Sequence, residues 1–242
     1  MEKLFLSLRR KISLSCIIML MLVLSVGCKK DSVDEHMDPV SHLMSFNLAP
    51  DKAAVNISVS GDVITNQPLG YPNYTGLYQD VDPGPQTVQS VDVGLNAAMA
   101  SASLSFEEDK YYSLFVLGNQ GNYSNIIVRD NYESLPVGSG KSYVRYINAI
   151  PDSSDLTVSI TANGSVILAT DVHYATVSDF FPLDGLDLVI GIDNGVNVTA
   201  QETFNFQIGK AYTVLFTGIP GTPDLSKAVK IQYALTGSAA GN

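Results

Sequence analysis

The chain has 242 residues, with 24 Asp and Glu against 14 Lys and Arg, a formal charge of −10 at pH 7, three His, two Cys and no Trp. That balance lacks the basic footprint of a nucleic-acid binder. Both cysteines fall within the first 28 residues, which excludes a disulfide scaffold, a Cys-ligated zinc site or a cysteine nucleophile from everything that follows.

Residues 1–28 read MEKLFLSLRRKISLSCIIMLMLVLSVGC: a basic start with Lys3, Arg9, Arg10 and Lys11, then an apolar run from Ile12 to Val26. A bilayer core needs ~20 apolar residues of helix, so the run is short for a permanent span and suits a secretory signal peptide, residues 1–27. Its end, Leu24-Ser25-Val26-Gly27-Cys28, resembles the lipobox of bacterial lipoproteins, in the relaxed form familiar from Bacteroidetes. The resemblance implies that Cys28 becomes the lipidated N-terminus, palmitate included, with the outer membrane as destination and its periplasmic or cell-surface face as the side. Ser25 and Gly27 would also satisfy ordinary signal peptidase, which would leave a freely secreted protein. Removal of the leader takes away four cations and one acid and moves the charge to −13.

Residues 28–40 form a polar tether with no apolar period and therefore no reason to pack. Its Lys29-Lys30-Asp31 start loosely resembles a surface-export signal, and Asp31-Ser32-Val33 an O-glycosylation triplet.

The remainder contains a repeat. Phe46-Asn47-Leu48-Ala49-Pro50-Asp51 matches Ile147-Asn148-Ala149-Ile150-Pro151-Asp152; Gly61-Asp62-Val63-Ile64 matches Gly164-Ser165-Val166-Ile167; and Lys110 to Gly118 matches Lys210 to Gly218. The offsets are 101, 103 and 100 residues. Between the anchors, Val55, Ile57, Val59 and Leu156, Val158, Ile160 alternate with polar residues, the period of a strand with one buried face. Further strands are expected at Thr87 to Val93, Leu186 to Ile192 and Val229 to Leu235, and no long segment has helical period. Short alternating runs bounded by Gly, Pro, Asn and Asp predict an all-β chain of two tandem antiparallel β-sandwich domains, 41–132 and 141–237, joined by a linker at 133–140. Tyr112 and Tyr212 occupy matched strand positions and are expected in the cores.

The segment Tyr143-Val144-Arg145-Tyr146-Ile147-Asn148-Ala149-Ile150-Pro151-Asp152, with Gly209-Lys210-Ala211-Tyr212-Thr213-Val214, resembles domain-of-unknown-function family 4397. The resemblance is stronger in the second copy than in the first. It departs at Asp155-Leu156-Thr157 and Ala54-Val55-Asn56, where the family tends to Pro-x-Val-Asp. It implies an Ig-like or transthyretin-like sandwich outside the cytoplasm and supplies no catalytic residue.

No motif of a hydrolase, zinc protease or phosphate loop is present, so no enzyme activity, cofactor or metal is expected. A hydrolase built on His173 is the competing catalytic reading, and it would need a serine and a carboxylate brought together by the fold. Asp80 with Asp82, Asp184 with Asp187, Asp193 beside Asn194, and Asp152 with Asp155 could supply calcium oxygens. They read better as turn residues. The loop Asn66 to Gly76 is the most distinctive, since Tyr71, Asn73 and Tyr74 offer stacking faces and an amide, as a sugar or peptide surface requires. Tyr123, in Asn119 to Asn125, is a second candidate; the matched region of copy two, Ala169 to Thr176, is plainer. The expected protein is a lipid-anchored envelope component that binds, adheres or scaffolds, its partners the membrane through Cys28 and an extracellular protein or glycan. A glycan-binding component of a nutrient-uptake system is the alternative.

Overall fold

The computed structural model describes residues 39–151, 154–185 and 187–239. The leader, Cys28 and most of the tether lie outside the described residues. From residue 39 onward the chain forms one compact unit.

Copy one supplies nine strands: β1 Ser41–Asn47, β2 Ala54–Val59, β3 Asp62–Val63, β4 Leu69–Gly70, β5 Gln79–Val81, β6 Gly84–Asp92, β7 Ala97–Phe106, β8 Tyr111–Asn119 and β9 Asn122–Arg129. Copy two supplies β10 Ser142–Asn148, β11 Leu156–Ala162, β12 Ser165–Val172, β13 Phe181–Leu183, β14 Asp187–Asp193, β15 Thr199–Asn205, β16 Lys210–Thr217 and β17 Lys230–Ser238. Each copy has an inner sheet, β5-β1-β8-β9 or β13-β10-β16-β17, and an outer one, β3-β2-β6-β7 or β12-β11-β14-β15. In the inner sheets one pair departs from the antiparallel expectation: β1 runs parallel to β8 and β10 parallel to β16. The first strand of each copy and its parallel partner, β8 or β16, are joined through the outer sheet, so no tight turn has to connect them and a parallel pairing is accessible.

Alternation sorts β2, β11 and β14 of the outer sheets. Val55, Ile57, Val59 and Val88 meet Leu43, Leu114 and Val116 in the first core; Val158, Ile160 and Ile190 meet Val144, Val214 and Phe216 in the second. Tyr112 and Tyr212 are buried in these cores, and each hydroxyl accepts the backbone N–H five residues upstream, Glu107 N at 2.9 Å and Gln207 N at 3.0 Å. The central inner strands β1, β8, β10 and β16 lose this alternation, because they are buried on both faces. Met44, Phe46, Phe115 and Leu117 point away from their own core and pack on Ile147, Leu215 and Ala234 of copy two. The result is a four-layer stack with a shared apolar cluster at its centre.

The repeated Asn of the first anchor is a bracket between sheets. Fully buried Asn47 donates Nδ2 to Leu69 O at 2.9 Å and its Oδ1 accepts Ala49 N; Asn148 does the same with Val172 O at 3.0 Å and Ile150 N. A buried amide satisfied by backbone cannot be replaced by an apolar residue without orphaning those groups, which is the physical content of the sequence match.

Candidate functional site

The loop after β3 folds into a recess of about 310 Å³ lined by Asn66, Gln67, Pro68, Asn73, Tyr74 and Gln79, among others. Two backbone bonds to β1 hold it: Asn47 N donates to Asn73 O at 2.9 Å and Thr75 N to Ser45 O at 3.0 Å. Asn66, Gln67 and Asn73 are exposed, whereas Tyr74 is partly buried with its ring stacked on Phe46 at 5.2 Å between centroids. The amides therefore form a hydrogen-bonding rim, and Tyr74 offers only part of its surface.

The four residues singled out by sequence separate. Asn73 and Tyr74 line the recess. Tyr71 turns the other way, its hydroxyl buried beside Thr217 and Gly218 of copy two, where burial pushes its pKa up. Its hydroxyl end joins the two copies, and the side chain as a whole is only partly exposed. Tyr123 serves the neighbouring turn: its hydroxyl donates to Asp51 Oδ2 at 2.6 Å, and Lys52 Nζ stands 4.9 Å from its ring centroid. Lys52 in turn binds Asp92 Oδ2 at 2.6 Å, a hydrogen bond that raises the lysine pKa and lowers the carboxylate's.

Copy two has a closer counterpart to this loop than its plainer sequence suggests. Asn148 N donates to Thr176 O and Ser178 N to Tyr146 O, the same pair of bonds, and Val177 bridges Ile147 as Tyr74 bridges Phe46. The two-residue change of offset between anchors hides the match, and Val177 in place of Tyr74 removes the aromatic ring.

Of the acidic candidates, Asp193 is engaged as a turn residue. Asp80, Asp184 and Asp155 pair instead with His42, Lys141 and His173, Asp187 accepts from Asn205, and Asp152 lies outside the described residues. Asp92, not among the candidates, also holds a turn. Asp193 accepts from Gly195 N and Thr199 Oγ1, and Asp92 from Gly94 N and Leu95 N. Among the described residues no cluster of three or more His, Cys, Asp or Glu could hold a metal. His173, highly exposed, pairs through Nδ1 with Asp155 Oδ1 at 2.6 Å, and no described serine or threonine is hydrogen-bonded to its ring. That hydrogen bond raises the imidazole pKa above its ordinary value. The stabilisation is therefore complete below the ordinary histidine pKa, ~6.5, and is lost as pH rises through the raised one. A proton NMR titration is expected to give His173 a pKa above that of Asp155→Asn; equal values would show that the pair does not form in solution.

The group that sequence reading passed over is Arg145. It is 2% exposed, with Nη1 2.5 Å from Asp130 Oδ1, Nε donating to Thr213 Oγ1 at 2.9 Å and Nη2 to Ser113 Oγ at 2.7 Å. Its guanidinium lies 4.6 Å from the Phe180 ring centroid. Asp130 Oδ2 accepts from Ser113 Oγ at 2.8 Å and Tyr78 Oη at 2.6 Å, and Tyr132 Oη donates to Thr236 O at 2.7 Å. Burial and the carboxylate drive the Tyr78 pKa far up, so it remains a donor. This network crosses from copy one to copy two. The available signal was a lone arginine in a strand with no polar face.

No curated protein matches the chain in sequence. Three solved structures are distantly similar. An NMR structure of a protein from Eubacterium rectale is 13% identical, with a TM-score of 0.32 over 42% of this chain and 95% of its own. Crystal structures described as a "putative cell adhesion protein", from Bacteroides ovatus ATCC 8483 and Bacteroides eggerthii DSM 20697, are each 10% identical over 81% of this chain. They are covered to 95% and 96%, with TM-scores of 0.26 and 0.22. Likenesses this slight say nothing about what this chain binds. The family model for the domain of unknown function DUF4397 matches twice, over residues 41–158 and 142–230, which is well over half of the sequence. The chain belongs to that family.

Proposed function

We propose that the protein is a lipid-anchored component of the bacterial cell envelope, held in the outer membrane through Cys28, whose β-sandwiches act as a non-catalytic binding, adhesion or scaffold module. The observation that carries the binding role is the amide-rimmed recess at Asn66–Gln79, which sets exposed amides beside an apolar lining of Pro68, Leu69 and Tyr74 on a β-sheet scaffold. The anchor rests on the sequence around Cys28. A glycan is the alternative ligand, since planar amides with a partly exposed tyrosine suit hydroxyl-rich rings.

Labelled palmitate fed to cells is expected to enter the wild type and not Cys28→Ser; equal labelling of both removes the anchor. For the recess, Asn73→Ala is the informative variant, because Asn73 is exposed while Tyr74 supports Phe46. On a glycan array the wild type is expected to bind and Asn73→Ala to lose at least ~10-fold, the effect of ~1.4 kcal/mol. No binding above background by the wild type rejects the glycan reading and leaves the anchor untouched.

A further inference from the structure

The matched third strands of the two copies end differently. In copy one the edge of the outer sheet is broken: β3 has two residues, Ile64 packs against the core, and Thr65 Oγ1 accepts Ile57 N. In copy two the matched strand β12 runs for eight residues, SVILATDV, at the sheet edge, paired only to β11, in regular register from Ser165 to Ala169 and with a bulge at Thr170-Asp171 before Val172. Ile167, which matches Ile64 in sequence, is 42% exposed, and Val166 and Leu168 are each 61% exposed. The strand carries no Lys or Pro, the residues that ordinarily blunt such an edge.

Ile167 pairs with Ile160 and Ala169 with Val158, so both face the interior side of the sheet. Where Ile64 closes copy one, copy two has an apolar cavity of about 250 Å³ lined by Val158, Ile160, Ile167, Ala169, Phe181 and Tyr146, among others. Pockets for small molecules generally run from ~300 to 1,000 Å³, so this one suits a single large side chain. Exposed Asp179 also lines it and makes no ion pair among the described residues.

We propose that β12 and this cavity form a β-augmentation site for an extended polypeptide: the incoming strand pairs with the free edge of β12, places one large apolar side chain in the cavity, and meets Asp179 with a basic residue. Main-chain pairing supplies affinity and the pocket supplies selectivity at alternate positions. The unpaired Asp179 and the chain's charge of −10 favour a basic partner over a second copy of this chain. The site is on copy two and independent of the Asn66–Gln79 recess, so a blank glycan array has no bearing on it.

The test uses the full-length chain and the fluorescein-labelled peptide KTVTLTVTK. Saturable anisotropy with a micromolar Kd is expected, together with slowed hydrogen exchange at residues 165–170. Ala169→Phe, which fills the cavity, and Ile167→Lys, which charges the edge, are each expected to weaken binding at least ~10-fold. Because Ile167 is substantially exposed, the second variant keeps the test valid should the first fail to fold. Replacing the central Leu of the peptide by Asp is expected to abolish binding. Four results overturn the proposal: no binding, equal binding of the two peptides, affinity unchanged in Ile167→Lys, or a wild-type dimer by sedimentation that Ile167→Lys dissociates. The last would assign the edge to a second copy.

Discussion

Arg145→Met is expected to destabilise the protein by about 3–5 kcal/mol in urea or guanidinium unfolding, because it leaves the Asp130 carboxylate buried without its cation. Methionine is chosen because copy one carries Met44 at the matched position, in the apolar cluster that joins the inner sheets. Shape is thus roughly kept while charge is removed. Asp130 is 1% exposed and cannot turn to water. Its remaining donors, Ser113 Oγ and Tyr78 Oη, are neutral, and neutral hydrogen bonds do not replace a guanidinium in a dry interior. The double variant Asp130→Asn with Arg145→Met removes both charges and is expected within about 2 kcal/mol of wild type, since exchanging a whole buried pair for neutral groups is often close to neutral. Additive losses in the double variant would show that the two side chains stabilise separately and that the pair itself contributes little.

The same pair marks where the sequence stopped being legible. Period two identified the outer strands because one face meets water: Thr157, Ser159 and Thr161 alternate with Leu156, Val158 and Ile160. It fails in β1, β8, β10 and β16, where both faces are dry, so the packing of one copy on the other left no pattern to find. Matching the copies recovered Asn47 with Asn148 and Tyr112 with Tyr212 because each pair makes the same bond twice. Arg145 and Asp130 have no repeat partner of their own kind; they act only where the copies differ. The loop at Asn66–Gly76 was recognised by composition, yet composition cannot say which way a ring points. Tyr71 turns to Thr217 and Gly218, Tyr74 to Phe46, and Tyr123 to Asp51, so three similar side chains have three different neighbours. The open edge of β12 was hidden for a related reason: Ile64 and Ile167 match in sequence, yet Ile64 lies opposite Ile57 while Ile167 lies opposite Ile160, and the chain turns away after the first and continues as a strand after the second.

Gly118→Ala is expected to cost about 3–5 kcal/mol, and Gly218→Ala a similar amount, through two effects that act together. Both glycines have positive φ, +116° and +113°, conformations that cost a residue with a Cβ ~1–3 kcal/mol. A Cβ at Gly118 would also lie 2.0 Å from Asn122 O, and one at Gly218 would lie 2.4 Å from Ala228 O. The obstructing atoms are backbone, so relief means moving β9 against β8 or β17 against β16; such overpacking costs a further ~1–3 kcal/mol. Gly164 separates the two contributions. It also has positive φ, +77°, but nothing stands within 4 Å of its Cβ position, so Gly164→Ala should lose only about 1 kcal/mol. The comparison needs equilibrium unfolding of all three variants. Equal losses would mean that dihedral strain alone matters and that the hairpins yield freely. A gap of 2 kcal/mol or more would show them to be rigid, with a consequence beyond stability: Tyr123 follows Asn122 directly, so a displaced β9 would draw its hydroxyl from Asp51 and release the turn that Lys52 and Asp92 hold.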